Sequence, residues 1–512
     1  MFRYFGPPGT GKTTTLLDLV HSHLSEGTSP EDIGYFAFGK KAAHEAKDRA
    51  LSRFGERHKK EDFRYFRTLH SLAYGVLGMN NNQLFKDKQL REFCKEIGTD
   101  LGVGDVRITH DDGFSVMQSN NPVMRGFDIA RNSLQSLQYG YNFVSREIGR
   151  ISFPEFKHYY KEYERYKQRE GFFDFTDMML ELVKNPSKVP SFKVVFLDEA
   201  QDLTPLQWEV AQLLSDKSER MIVAGDDDQG IYRWNGADIG HFISLPGASE
   251  VLVQSYRVPG LVFNLADKVV RRIQHRQKKQ WKPRDEPGSI DTTYDARTVD
   301  FGEGEWLVMA QAKYMLTELE EHLKMSGYYF ESKGSPSLPK KVKDAIHSWD
   351  FLTESPNHEI TQQDAINLYD HISSGKGGVT RGAKKLLSST DTADLFTIGL
   401  LHEKYGLQAT QGPWGSALDR IQEEERVYAM SLLQRGVDIN EKPKIRLSTV
   451  HGAKGGEADN VLLYLDLSTK ALEARQDNPD DAYRVLYVGI TRARENLVLK
   501  MPGNTQRGWD IL

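Results

Sequence analysis

Short apolar runs alternate along most of the chain with longer stretches whose apolar residues recur at helical spacing. The runs read IGYFAF, FKVVFLDEA, RMIVAGD, EWLVMAQ and NVLLYL, and helical stretches such as KKAAHEAKDRAL and PLQWEVAQLL follow them. Unbroken apolar runs predict strands buried on both faces, and strands followed by helices predict parallel sheets. We therefore expect an α/β fold with doubly wound sheets.

Two stretches interrupt this alternation. From about Asn80 to Tyr166 the chain has no strand-like run and leads into the helical, aromatic and basic segment FKHYYKEYERYKQREG. From about Glu331 to Lys444 it is polar and rich in glycine and serine. Each stretch lies between α/β segments, so each predicts an insertion rather than a terminal appendage.

Composition limits the class of protein without naming a function. The 512 residues exceed one core and suggest roughly three or four domains. Lys+Arg 67 against Asp+Glu 72 gives a net charge of -5, so nucleic acid would have to meet a local basic surface. The single cysteine, Cys94, fits a reducing compartment. We find no membrane-spanning run and no signal peptide, so we expect a soluble intracellular protein.

A glycine-rich loop, GPPGTGKT, begins at Gly6, between a predicted strand at Phe2 to Phe5 and a predicted helix at Thr14 to Leu24. In this setting the loop N–H groups and the helix N-terminus hold phosphates, the lysine reaches the outer phosphates, and the threonine hydroxyl takes a Mg²⁺ position. We predict a nucleoside triphosphate site in which Thr13 is a metal ligand. Its residues are Gly6, Gly9, Thr10, Gly11, Lys12 and Thr13.

An acidic turn, DEAQD, follows a later apolar run. Asp198 ends the predicted strand Val194 to Leu197, where its carboxylate is placed to hold Mg²⁺ directly or through water. Glu199 is suited to polarise an attacking water. A surface acidic turn is the alternative, and the four apolar residues before it argue against that. The pair indicates hydrolysis of the nucleotide.

The next strand leads into GDDDQGIYRWNGAD. Gln229 is placed to sense the γ-phosphate, and Tyr232 and Trp234 are suited to stack on nucleobases. Packing of these two rings in a core is the alternative, and the sequence leaves it open.

These motifs together resemble the UvrD/Rep/PcrA-like superfamily 1 DNA helicases. The resemblance runs from Gly6 to about Lys500 through GPPGTGKT, TLHSL, DEAQD, GDDDQGIYRW, SYR, STVHGAKGGEADNV and YVGITRAREN. It implies two RecA-like P-loop NTPase domains that enclose ATP and Mg²⁺, each with an inserted subdomain. The implied ranges are 1–79 and 167–257 for motor domain 1A, 80–166 for helical insertion 1B, 258–330 and 445–512 for motor domain 2A, and 331–444 for a shortened insertion 2B.

The resemblance also implies roles at the nucleotide. Arg257 and Arg492 match two arginines that contact the γ-phosphate from the second motor domain, although an arginine taken alone is more often a surface ion-pair partner. Tyr256 matches a tyrosine that stacks on adenine. Glu457 matches a glutamate near the ribose and phosphates, and Gln229 matches the γ-phosphate sensor.

For single-stranded DNA the resemblance implies a track of hydroxyl, basic and aromatic side chains, which suits a phosphate backbone and any base. Its residues are Phe38, Lys40, Thr68, His70, Tyr232, Trp234, Thr449, His451 and Lys454. Lys40 comes from FAFGKKAA, where two polar groups common in the family are lost. For His451 and Lys454, coupling of the DNA track to the ATP site is the alternative role.

The chain departs from the family pattern before the loop, at Thr14 and at Asn235. Only Met1 to Phe5 precede the loop here, without the family's adenine-reading glutamine segment, so selectivity for ATP is in question. Thr14 and Asn235 stand where arginines are usual.

The basic cluster from Lys268 to Arg284 either extends the DNA path or is a solvated helix face.

The resemblance implies an ATP hydrolase that moves 3′-to-5′ on single-stranded DNA and unwinds duplexes in replication, repair or recombination. A translocase that displaces proteins without unwinding is one alternative, and a nucleotide-gated binding switch is another. RNA remains open as the polymer. We expect a compact, phage-type monomer in the cytoplasm of a bacterium or a phage-infected cell, with single-strand-binding or replication proteins as partners.

Overall fold

The computed structural model of the chain describes residues 1–54, 58–99, 101, 121–410 and 412–511. Residues 55–57, 100, 102–120, 411 and 512, which fall in the four predicted domains, lie outside the described residues. Two compact units are present. The first comprises 1–292, 450–458 and 465–512, and the second comprises 293–449 and 459–464. The predicted boundaries of domains 1A, 1B, 2A and 2B remain predictions.

The strands are β1 (Phe2–Phe5), β2 (Ile33–Ala37), β3 (Phe66–Thr68), β4 (Phe192–Asp198), β5 (Ser218–Gly225), β6 (Ala248–Val251), β7 (Ser289–Thr293), β8 (Trp306–Ala310), β9 (Phe330–Ser332), β10 (Ser335–Pro336), β11 (Glu359–Thr361), β12 (Leu395–Thr397), β13 (Ile445–Thr449), β14 (Ala458–Tyr464) and β15 (Ala493–Lys500).

The helices are α1 (Lys12–Ser25), α2 (Lys40–Phe54), α3 (Leu69–Val76), α4 (Asp87–Glu96), α5 (Pro122–Asn132), α6 (Leu137–Ile148), α7 (Phe153–Glu170), α8 (Phe175–Lys184), α9 (Pro205–Asp216), α10 (Ile239–Ser244), α11 (Gly260–Val270), α12 (Thr317–Met325), α13 (Lys340–Glu354), α14 (Gln362–Asp370), α15 (Ala383–Leu387), α16 (Ile398–Lys404), α17 (Trp414–Ala417), α18 (Glu423–Gln434), α19 (Thr469–Asp477) and α20 (Pro479–Ile490).

The first unit is built on a six-stranded sheet in the order β3-β2-β4-β5-β1-β6, in which every neighbouring pair is parallel. In this register Phe5 lies beside Gly225, and Ala37 lies between Thr68 and Asp198. The carboxyl ends of β1, β4 and β5 therefore meet at one edge, which is where parallel α/β sheets bind ligands. The parallel α/β class predicted from the sequence is confirmed.

The buried strands and helix faces follow the apolar pattern. The predicted strand Val194 to Leu197 lies inside β4, where those four side chains are fully buried. The predicted helix Thr14 to Leu24 lies inside α1, whose Leu16, Leu17 and Val20 pack against the sheet core. The stretch after Asn80 is helical where it is described, with a core of aromatic rings from α4, α5 and α7.

The second unit has its own sheet strands, in the order β10-β9-β13-β8-β14. β13 pairs in parallel with β8 and β9, and β14 pairs in parallel with β8. Beside them, α13 to α18 and the antiparallel pair β11 and β12 enclose a core that includes Trp349, Leu368 and Phe396. The polar composition of this region thus conceals a packed core. Among the described residues, no helix has the length and apolar character needed to cross a membrane.

Candidate functional site

The phosphate loop is packed against the segment that carries Tyr256 and Arg257. Gly9 has a φ of 71°, and a Cβ built on it would lie 2.3 Å from the Cβ of Arg257, so only glycine fits there. Ser255 donates a hydrogen bond to the Pro8 carbonyl at 2.8 Å, and the Tyr256 N–H donates to the Gly9 carbonyl at 2.9 Å. Two segments distant in sequence therefore form one wall of the site.

The loop leads into α1 with the geometry that its sequence predicts. Gly11, in the left-handed region, precedes Lys12 as the first residue of the helix. The Lys12 Nζ donates to the Gly6 carbonyl at 2.8 Å, and the Thr13 hydroxyl donates to Asp198 Oδ2 at 2.9 Å. A hydroxyl and a carboxylate side by side are the oxygen donors that Mg²⁺ prefers. The residues present therefore fit a nucleotide with its metal ion.

The acidic turn after β4 contains two carboxyl groups with opposite tendencies. Burial and the neighbouring Glu199 raise the pKa of Asp198. Burial would also raise the pKa of Glu199, but the charges of Lys12 and Lys454 lower it below its ordinary value. Glu199 also has a φ of 53°, which is uncommon for a residue with a side chain. The lowered pKa keeps the Glu199 carboxylate ionised at neutral pH, the form that accepts a hydrogen bond from water.

Gln201 connects this turn to the next one along the sheet edge. Its fully buried amide donates to Glu199 Oε2 at 2.5 Å, and its carbonyl accepts from the Asp226 N–H at 2.9 Å. The two turns are therefore held together by side-chain hydrogen bonds as well as by the sheet.

Gln229, Arg257, Arg492 and Glu457 come together as the family resemblance implies. Arg492 Nη2 donates to Gln229 Oε1 at 2.7 Å, while Arg257 forms an ion pair with Glu457. Burial and the charge of Arg257 lower the pKa of Arg492 to about 9, which leaves it cationic at neutral pH. Arg492 is buried, so it is not a surface ion-pair residue. Tyr256 projects outward and is 75% exposed.

The acidic turn after β5 is closed by a buried lysine. The fully buried side chain of Lys279 pairs with Asp226 at 2.9 Å, with Asp228 at 2.8 Å and with Asp227. Arg276 adds two hydrogen bonds to Asp228, at 2.7 and 2.5 Å. Burial would lower the pKa of Lys279, but the three carboxylates raise it above its ordinary value. The carboxylates lie close enough to hold a metal ion, and the ammonium group supplies the positive charge instead.

The interpretation of the basic cluster as a solvated helix face is wrong at its centre, and the interpretation as a DNA path remains a prediction. α11 ends at Val270, so the cluster is not one solvated helix. Lys279 and Arg276 are directed at the acidic turn, because a carboxylate triplet offers these cations a stronger local field than solvent does.

Four of the predicted DNA-binding side chains form one aromatic cluster in the first unit, comprising Phe38, Tyr232, Trp234 and His451. Ring centroids are 5.4 Å apart for Phe38 and Tyr232, 6.1 Å for Tyr232 and Trp234, and 6.1 Å for Trp234 and His451. Burial and the charge of Lys454 lower the pKa of His451 to about 4, so its ring is neutral at neutral pH. The cluster combines core packing by Tyr232, which is buried, with a partly exposed Trp234.

Lys454 joins this cluster to both acidic turns. Its Nζ lies 2.5 Å from Asp202 Oδ2, 2.7 Å from the Gln229 carbonyl and 4.9 Å from the Tyr232 ring centroid. Burial raises the pKa of Asp202 to about 7, against the opposing charge of Lys454. Lys454 thus contacts residues of both predicted sites, and its role in DNA binding or in coupling remains a prediction.

Four further residues predicted to bind DNA are each described on their own element, in β3, α3, α2 and β13. Thr68 caps α3 and accepts a hydrogen bond from the Ser71 N–H at 3.2 Å. His70 packs edge-on against Phe175, and burial lowers its pKa to about 4. Lys40 is exposed at the start of α2. Thr449 ends β13 in the second unit. Their roles remain predictions.

Three residues of the site were missed by the sequence analysis. Gln201 stands inside the quoted DEAQD motif, so it was visible but carried no assigned role. Lys279 stands in a charge run, which is typical of solvated surface. Tyr35 stands in the apolar run of β2 and donates to Asp198 Oδ2 at 2.8 Å, a contact for which the sequence holds no signal.

Comparisons with known proteins agree with this geometry. The family model for the UvrD/REP helicase N-terminal domain matches residues 5–247, and that for the UvrD-like helicase C-terminal domain matches residues 418–502.

Relatives named ATP-dependent DNA helicase PcrA occur in three bacteria. The Bacillus subtilis protein is 26% identical over 408 residues, covering 70% of this chain and 52% of the relative. The Staphylococcus epidermidis protein is 25% identical over 342 residues, covering 63% of this chain and 44% of the relative. The Staphylococcus aureus protein is 24% identical over 406 residues, covering 70% of this chain and 52% of the relative. The chain thus spans about half the length of these relatives. The matched motifs and the parallel α/β architecture together place the chain in the UvrD/Rep superfamily 1 helicase family, with two RecA-like domains.

Proposed function

We propose that the chain hydrolyses ATP with Mg²⁺ and couples hydrolysis to movement along single-stranded DNA and to duplex unwinding. The observation that carries the proposal is the position of Lys454, which contacts Asp202, the Gln229 carbonyl and the Tyr232 ring. A single side chain thus touches both acidic turns of the nucleotide site and the aromatic cluster. A change in the nucleotide site can therefore be transmitted to the aromatic cluster through direct contacts of Lys454.

At the nucleotide, Lys12 and the loop N–H groups bind phosphates, and Thr13 with Asp198 would hold the metal ion, which offsets charge on the β- and γ-phosphate oxygens. Glu199 orients and polarises the attacking water. Arg257 and Arg492 stabilise the charge that spreads over the transferred phosphoryl group. The hydrogen bond from Arg492 to Gln229 restricts the orientation of the second arginine and connects it to the proposed γ-phosphate sensor.

At the strand, Trp234, Tyr232 and Phe38 offer aromatic faces, which stack on bases at about 1–3 kcal/mol per base without sequence preference. Release of the γ-phosphate changes the contacts of Gln229 and therefore the environment of Lys454 and Tyr232. Alternating grip on the strand then becomes directional movement. The 3′-to-5′ direction, the monomeric state and a role in replication or repair are part of the proposal through family membership alone.

The test is steady-state ATP hydrolysis with and without single-stranded DNA over a series of salt concentrations, followed by strand separation on a tailed duplex. We expect strong stimulation that declines with salt, because phosphate contacts release counterions. Displacement of a bound protein without strand separation would favour the translocase alternative. A slow rate that neither DNA nor RNA stimulates would favour the switch and contradict the motor. Tails of opposite polarity test the direction, and GTP in place of ATP tests base selectivity.

A further inference from the structure

Tyr35 places a phenol hydroxyl beneath the predicted metal site from inside the sheet. It stands on β2, where its fully buried ring stacks on Phe66 with centroids 5.2 Å apart. Its hydroxyl donates to Asp198 Oδ2 at 2.8 Å. In the strand register Tyr35 lies beside Phe196, so its side chain reaches along β4 to the carboxylate two residues further on.

The hydroxyl completes the hydrogen bonding of one carboxylate oxygen. Asp198 Oδ2 accepts from Thr13 at 2.9 Å and from Tyr35, while Oδ1 accepts from the Glu199 N–H at 2.9 Å. A carboxylate oxygen has two lone-pair positions, so both positions on Oδ2 are used. One position on Oδ1 remains. The carboxylate is therefore held in one orientation, with that position as its remaining acceptor.

We propose that Tyr35 is a positioning residue for the metal ion, acting through Asp198. The proposal rests on the proposed function, in which Asp198 and Thr13 hold the Mg²⁺ that accompanies the nucleotide. Without the phenol hydroxyl, Asp198 keeps its hydrogen bonds from Thr13 and from the Glu199 N–H but loses the third one, so its orientation is less restricted and the metal must supply part of the ordering on binding. That ordering reduces the contribution of Mg²⁺ to nucleotide affinity.

A purely structural role makes a different prediction. The ring of Tyr35 fills the core between β3 and β4, and Tyr35→Phe retains that ring. If the hydroxyl serves only to satisfy a buried carboxylate, the variant is less stable but its affinity for nucleotide responds to Mg²⁺ as before. The matched control is Tyr65→Phe, which removes a phenol hydroxyl beside β3, where the Tyr65 ring packs edge-on against Phe192.

The experiment measures the equilibrium dissociation constant of a fluorescent ADP for the full chain, once with Mg²⁺ and once with EDTA. The readout is the ratio of the two constants. We expect Tyr35→Phe to lose about tenfold or more of the Mg²⁺-dependent gain, the value of one hydrogen bond to a charged group, with affinity in EDTA unchanged. Tyr65→Phe keeps the full gain. Mn²⁺ binding followed by electron paramagnetic resonance, with ADP present, should weaken in parallel.

A full gain in Tyr35→Phe, equal to wild type and Tyr65→Phe, overturns the inference and leaves the proposed function intact. An equal loss of affinity with Mg²⁺ and with EDTA also overturns it, because the hydroxyl would then act on the nucleotide pocket as a whole. Wild-type protein whose affinity does not respond to Mg²⁺ would overturn the proposed function together with the inference.

Discussion

Two acidic turns lie at the ends of neighbouring parallel strands, and the negative charge of their carboxylates is compensated in different ways. After β4, Asp198 and Glu199 accept hydrogen bonds from hydroxyl, amide and backbone donors. After β5, the triplet Asp226 to Asp228 is closed by the ammonium of Lys279 and the guanidinium of Arg276. Both turns have the charge and burial of a metal site. Only the first has donors that a metal ion and its nucleotide can rearrange.

This difference suggests different roles for the two turns. The turn after β4 is suited to catalysis, and the turn after β5 is suited to a rigid structural role. Removing a buried cation from three carboxylates leaves unpaired charge, which is costly, so the second turn has one stable arrangement. In the first turn Asp198 and Glu199 are held by neutral donors, whose hydrogen bonds are weaker and exchangeable, while Asp202 at the end of that turn pairs with Lys454. A cluster of carboxylates therefore does not identify a metal site until the source of its compensating charge is known.

The largest expected effect concerns the first turn. Glu199→Gln should reduce nucleotide turnover by about 10²–10⁴-fold, the range for loss of a general base, while ATP affinity is retained. The matched substitution in the second turn is Asp227→Asn, which should alter stability more than turnover. Hydrolysis and nucleotide binding are measured for both variants. Near-normal turnover in Glu199→Gln would remove the mechanistic distinction between the turns.

The next effect concerns the second turn. Lys279→Met should lower the free energy of unfolding by about 3–5 kcal/mol, because three buried carboxylates lose their central cation. The neighbouring exposed residue supplies the control, Lys278→Met, which should change little.

Adding Asp227→Asn to Lys279→Met should recover part of the loss, because one buried negative charge is removed. The measurement is urea-induced unfolding of the wild type, Lys279→Met, Lys278→Met and the double variant. A Lys279→Met protein as stable as wild type would mean that the triplet does not depend on the ammonium, and the comparison between the turns would fail.

The sequence predicted the first turn better than the second, for a physical reason. A buried strand that ends in acidic residues is a local pattern, and parallel strands bring such ends together, so Asp198, Glu199 and the phosphate loop were placed correctly beside one another. Arg257 and Arg492 required the family resemblance, because a single arginine has no local signature.

The closure of the second turn depends on contacts that no local pattern records. Lys279 is separated from Asp227 by 52 positions, and its neighbours in the chain are charged and polar. Tyr35 stands in an apolar run, where an aromatic residue predicts only packing. The contacts of both side chains depend on the tertiary structure. The positions of their backbones in the fold determine which distant groups the ends of these side chains can reach.

The smallest expected effect concerns Lys454, which bridges the two turns. Lys454→Met should destabilise the protein by about 1.5–3 kcal/mol, the value of hydrogen bonds to a charged group. It should also reduce stimulation of ATP hydrolysis by single-stranded DNA more than it reduces the unstimulated rate. The control is Lys217→Met, which removes an exposed lysine at the end of α9.

The stability loss in Lys454→Met should depend on pH with a definite sign. Burial raises the pKa of Asp202 to about 7, so the folded protein binds a proton that the unfolded chain releases near its ordinary value. Such a carboxyl group stabilises the fold at low pH, and the contribution is lost as the pH rises through the folded pKa. Without Lys454 this pKa rises further, because the group that opposed the shift is gone. The variant should therefore be closest to wild type near about pH 6 and furthest from it near about pH 8.5, where wild type keeps an ionised Asp202 paired and the variant cannot. An equal loss at both values would mean that Lys454 acts through the Gln229 carbonyl and Tyr232, and that its contact with Asp202 does not contribute to the link between the two turns.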